Sequence, residues 1–172
     1  GEGQVSGVSD IDATQVRQVV MNLIINASEA IREGSGHVVA IKLTSELGTG
    51  TTIRVLLVDD EPTIRNLGKR MLAKMGLDAV TAEDGMEATE IFRKNPGEFQ
   101  LVILDLTMPK LDGEETFHIL RKCRADIPVL VVSGFDEQEA MARFQGQPHI
   151  SFIQKPFQLA QFKEKIKALL ES

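Results

Sequence analysis

Apolar positions repeat in two rhythms along the chain, and the rhythm changes at residues 48–52, Gly-Thr-Gly-Thr-Thr. Upstream, Val16, Val19, Val20, Leu23, Ile24, Ala27, Ala30 and Ile31 recur at helical spacing and make one apolar stripe. Asp12 suits the N-cap with Gln15 three residues on, and Gly34-Ser35-Gly36 ends the helix. Residues 37–43 then read as a strand. One helix and one or two strands cannot close a core. This stretch is expected to lean on the rest of the chain or on a second copy, making a homodimer through residues 10–52.

Downstream, short apolar runs alternate with amphipathic helices. Strands are predicted at 53–58, 77–81, 100–104, 128–132 and 150–153. The first helix is striped by Ile64, Leu67, Met71, Leu72 and Met75 and stopped by Gly76. Further helices are predicted at 86–94, at about 113–124 and at 136–145, and the last is striped by Leu159, Phe162, Ile166, Leu169 and Leu170. Continuous apolar strands between helices predict an α/β fold, a five-stranded parallel sheet covered on both faces. In such sheets the ligand site lies beyond the carboxyl ends of the strands.

Composition narrows the class. The 172 residues are 42% apolar and 26% charged, which suits one globular domain, or one domain plus a fragment. No run approaches the roughly 18 apolar residues of a membrane span, and the first residues lack a basic-then-apolar signal pattern. A single cysteine, Cys123, excludes an internal disulfide and a multi-cysteine metal site, so a cytoplasmic location is expected. A net charge of −6, with no Trp or Tyr, does not favour nucleic acid. No helix-turn-helix pattern precedes residue 53, so no DNA partner is expected, and without a long apolar run no membrane is expected for this chain.

Chemistry gathers at the predicted strand ends. The first strand runs into Asp59-Asp60-Glu61, the third into Asp105, the fourth into Ser133, and Lys155-Pro156 follows the fifth. Carboxylates converging from neighbouring strands resist joint ionisation and call for a cation. Oxygen donors suit Mg²⁺. A lysine and a hydroxyl on the same edge suit an anionic group attached there. An acidic loop after the first strand repels phosphate, which argues against a flavodoxin. The Asp-x-Asp of a haloacid-type phosphatase is absent at that position.

Val58-Asp59-Asp60-Glu61, Leu104-Asp105-Leu106-Thr107-Met108-Pro109 with Asp112-Gly113, Val132-Ser133-Gly134 and Lys155-Pro156-Phe157 together resemble a response-regulator receiver domain, with boundaries at 53–172. The resemblance implies a flavodoxin-like doubly wound sheet of order 2-1-3-4-5. It implies Asp105 as phosphoacceptor, with Mg²⁺ held by Asp59, Asp60, Asp105 and the Thr107 carbonyl. Lys155 would pair with a phosphoryl oxygen, across a cis Lys155–Pro156 bond. Ser133 and Phe152 would be the switch pair, the ring turning inward as Ser133 moves. The donor would be a histidine kinase or a histidine phosphotransfer domain, and self-dephosphorylation would be the only enzymatic activity. Thr107 and Phe135 would flank the approach of water, with Phe135 slowing hydrolysis.

Residues 10–33 resemble the N-box helix of a histidine-kinase ATPase domain, which implies Asn22 and Asn26 near Mg²⁺ and ATP phosphates. Residues 45–55 resemble the last hairpin of that domain. The adenine-binding Asp-x-Gly-x-Gly, the lid and the phosphorylatable histidine box are missing, so residues 1–52 read as an incomplete kinase remnant. The whole resembles the C-terminal part of a hybrid sensor kinase. Residual ATP binding is the alternative.

Overall fold

The structure is a computed structural model and describes residues 52–172. The N-terminal helix-plus-strand appendage, Asn22, Asn26 and the dimer expectation lie outside the described residues.

Five strands, β1 (Arg54–Val58), β2 (Asp78–Ala82), β3 (Leu101–Asp105), β4 (Val129–Ser133) and β5 (Ile150–Gln154), alternate with helices α1 (Pro62–Lys74), α2 (Gly85–Lys94), α3 (Gly113–Cys123), α4 (Glu137–Ala142) and α5 (Leu159–Glu171). The sheet is parallel throughout, in the order β2-β1-β3-β4-β5. Strands apolar on both sides divide their side chains between two cores. Leu56, Val58, Val102 and Leu104 join Ala88, Phe92, Phe117 and Leu120 under α2 and α3. Val55, Leu57, Leu101 and Ile103 join Leu72, Phe162, Ile166 and Leu169 under α1 and α5. The order reverses between β1 and β3, so the crevice at their carboxyl ends is where a ligand site belongs.

Several elements differ from the sequence reading. The third and fourth strands end one residue later, so Asp105 and Ser133 are the last residues of β3 and β4, both buried. Leu67, read as core, is 45% exposed, whereas Gly68 is buried. A Cβ on Gly68 would lie 2.8 Å from Leu57 Cδ2, so α1 meets β1 at its glycine and Leu67 turns outward. Helix α4 stops at Ala142 rather than 145. Gly146 and His149 both take positive φ, 77° and 53°, around Pro148, and this turn cannot continue a helix. Arg54 and Val55, which also fit the end of a kinase hairpin, open β1, an interior strand of the sheet. Val55 pairs with Ala79 on one side and Leu101 on the other.

Candidate functional site

Asp59 follows the last residue of β1 and is 2% exposed. Its N–H donates to Ala82 O at 3.2 Å, which extends the β1–β2 ladder by one residue. Its Oδ1 accepts the Glu61 N–H at 2.8 Å, closing the turn into α1, where Pro62 occupies the first helical position. Asp60 is half-buried beside it. Asp105 ends β3 at 3% exposure, and its Oδ1 accepts the Thr107 N–H at 3.1 Å. One carboxylate oxygen each from Asp59, Asp60 and Asp105 lies within 4.8 Å of the others.

Lys155 reaches this group from the loop after β5. The Lys155–Pro156 bond is cis, and the Lys155 N–H donates to Ser133 O at 2.8 Å. Nζ lies 2.9 Å from Asp59 Oδ2 and 3.4 Å from Asp105 Oδ2. Burial pushes the Asp105 carboxyl up to about 6, the Thr107 N–H and the Lys155 charge oppose the rise, and the neighbouring Asp59 adds to it. Lys155 loses solvation too, yet its two carboxylate neighbours hold its pKa above the usual lysine value. One ammonium thus serves two carboxylates of a three-carboxylate cluster.

The β3–α3 loop is fixed from two sides. Asp112 and Glu115 form a reciprocal capping box at the start of α3. Asp84, the N-cap of α2, accepts from Glu87 N–H and from Lys110 Nζ, each at 2.8 Å. The Gly113 N–H donates to Leu106 O at 3.1 Å, which seats α3 directly on the residue after Asp105.

Ser133 Oγ accepts the Phe135 N–H at 3.1 Å. The Phe135 ring, 37% exposed, packs beneath the Arg143 guanidinium, 5.4 Å from its centroid, and so engages the C-terminal cap of α4. Phe152 is 3% exposed and belongs to the core with Phe117 and Phe144. The ring lies inward in this structure. Every receiver-site residue read from the sequence converges on this edge except Phe152, which lies in the core below it. The reading missed Arg65, whose Nη1 donates to Asp59 O at 2.7 Å, and the Asp84–Lys110 pair.

Residues 55–167 match the family model of the response regulator receiver domain. Sensor kinase CckA of Brucella abortus (strain 2308) is 36% identical over 130 residues, covering 76% of this chain and 13% of that protein. The solved receiver domain of hybrid histidine kinase CckA superposes with a TM-score of 0.59 at 30% identity, covering 68% of this chain and 98% of that one. A chain from the CheX-CheY-BeF3-Mg+2 complex of Borrelia burgdorferi gives a TM-score of 0.65 at 25% identity, over 72% of this chain and 92% of that one. The chain spans 13% to about half the length of the curated relatives it matches.

Proposed function

The chain belongs to the response regulator receiver domain family of two-component signalling, and on that premise we propose that it accepts a phosphoryl group on Asp105, with Mg²⁺ bound beside it. The observation that carries this reading is the acid cluster with its single lysine: Asp59, Asp60 and Asp105 within 4.8 Å, and Lys155 Nζ 3.4 Å from Asp105 Oδ2.

The donor set fits a hard divalent cation. Asp59, Asp60 and Asp105 would hold it with the Thr107 carbonyl, and bound Mg²⁺ would offset the charge that gathers as phosphorus transfers. Asp60 supports the fit, since among the described residues its carboxylate has no hydrogen-bond or ion-pair partner. The Thr107 N–H restrains Asp105 Oδ1, and Oδ2 faces Lys155. In the proposed step Oδ2 forms the new bond to phosphorus. The P–N bond of a phosphohistidine donor breaks, and the departing imidazole takes a proton. Lys155 would follow the transferred oxygens, and Ser133, at the end of β4, would supply a hydroxyl donor.

The donor would be a histidine kinase or a histidine phosphotransfer domain, and hydrolysis of its own acyl phosphate would be the chain's only turnover. Ser133 and Phe152 would carry the switch. With the Phe152 ring in the core that also holds Phe117 and Phe144, the change would be in the packing of that core rather than a turn from solvent.

Incubation of the full chain with a labelled acyl phosphate donor tests the metal-dependent part. Label is expected to enter with Mg²⁺ and not with excess EDTA. Equal incorporation under both conditions would contradict the assignment.

A further inference from the structure

Asp59 has no free polar atom. Ala82 O accepts its N–H at 3.2 Å, Glu61 N–H holds Oδ1 at 2.8 Å and Lys155 Nζ holds Oδ2 at 2.9 Å. The remaining group, its backbone carbonyl, accepts from Arg65 Nη1 at 2.7 Å. Arg65 is half-buried in the first turn of α1. Among the described residues no carboxylate lies within ion-pairing distance of it, although Asp60 and Glu61 are close in sequence. Its charge-assisted bond goes to an uncharged oxygen.

That oxygen belongs to the peptide plane joining Asp59 to Asp60. A peptide unit moves as a plate, so holding its carbonyl fixes the N–Cα bond of Asp60 and thereby restrains where its side chain departs. Among the described residues, Asp60 is the one member of the acid cluster with no bond of its own to orient it. Asp59 is held at every polar atom, and Asp105 is held by Thr107 and Lys155.

We propose that Arg65 is a positioning residue for the divalent cation: by holding the Asp59–Asp60 peptide, it aims the Asp60 carboxylate into the space shared with Asp59 and Asp105. This rests on the Mg²⁺ reading above. Its sign separates it from the electrostatic explanation. A guanidinium near an acid cluster repels a cation, so a residue acting through charge alone would give tighter Mg²⁺ binding when removed. A residue acting through geometry gives weaker binding, by about tenfold for an outer partner of a metal ligand.

Mg²⁺ titration of the full chain by calorimetry decides between them, with wild type beside Arg65→Ala at low and at high KCl. Arg65→Ala is expected to bind Mg²⁺ about tenfold more weakly than wild type at both salt concentrations, because geometry is not screened. Affinity equal to or above wild type would overturn the proposal. So would a lower melting temperature in EDTA with an unchanged Mg²⁺ dissociation constant, the mark of a purely structural role. If Arg65→Ala does not melt cooperatively, Arg65→Lys replaces it: the charge stays and the planar fork is lost. About threefold weaker binding is then expected, and wild-type binding would overturn the proposal. Absence of Mg²⁺ binding by wild type would overturn the metal reading itself, and is told apart because it appears before any substitution is made.

Discussion

Gly113→Ala is expected to destabilise the domain by about 3 kcal/mol and to lower phosphoryl uptake with it. An added Cβ would overlap the Asp105 carbonyl oxygen and lie 2.6 Å from Leu106 Cα and 3.0 Å from Asp105 C. All three are backbone atoms at the end of β3, so no side-chain rotation relieves the contact. Overpacking of a well-filled site costs roughly 1–3 kcal/mol, and a backbone obstacle belongs at the upper end. The helix can escape only by drawing back from β3, which breaks the Gly113 N–H bond to Leu106 O and shifts the loop carrying Thr107. Gly97→Ala is the control, because its Cβ would meet only Asn95 Oδ1 at 3.9 Å. Urea denaturation of both variants checks the prediction: a loss at 113 that does not exceed the change at 97 would contradict it.

Asp105→Asn is expected to be more stable than wild type at pH 7.5 in EDTA, by about 2 kcal/mol. Burial raises the Asp105 carboxyl from 3.8 to about 6. A folded-state pKa above the unfolded one contributes stability that is complete below the unfolded value and is lost as pH rises through the folded one. Between about pH 4 and pH 6 the wild type therefore forfeits up to about 3 kcal/mol, less where water reaches the cleft. The amide does not titrate and forfeits nothing. Denaturation midpoints of the two proteins should converge near pH 4 and separate above pH 6. A constant gap across that range would show that ionisation is not the cause. Saturating Mg²⁺ should narrow the gap, since binding to the folded wild type adds its own stabilisation.

The sheet was legible because its strands are short apolar runs bounded by polar residues. Leu101-Val102-Ile103-Leu104 between Gln100 and Asp105 admits little other reading. The site was legible for the same reason: once the strands are parallel, their carboxyl ends must share one edge, and Asp59, Asp105, Ser133 and Lys155 come together there. Features that depend on how one surface meets another were not legible. Gly68 rather than Leu67 faces β1, because α1 packs closely enough for a glycine to be the contact. The Ala140 and Phe144 spacing suits a continuing helix, and only the turn at Gly146–His149 shows that α4 ends early. Arg65 was overlooked because its partner is a carbonyl, which has no signature in a sequence. Residues 53–55 fitted two family patterns at once, and in the structure Arg54 and Val55 open β1, where Val55 pairs with both β2 and β3.

The most direct test of the phosphoacceptor assignment is the intact mass of the full chain after incubation with acetyl phosphate and Mg²⁺, wild type beside Asp105→Asn. One added phosphoryl group on the wild type and none on the variant is the predicted result. An unmodified wild type, or a variant that gains the same group, would contradict the claim that Asp105 is the acceptor.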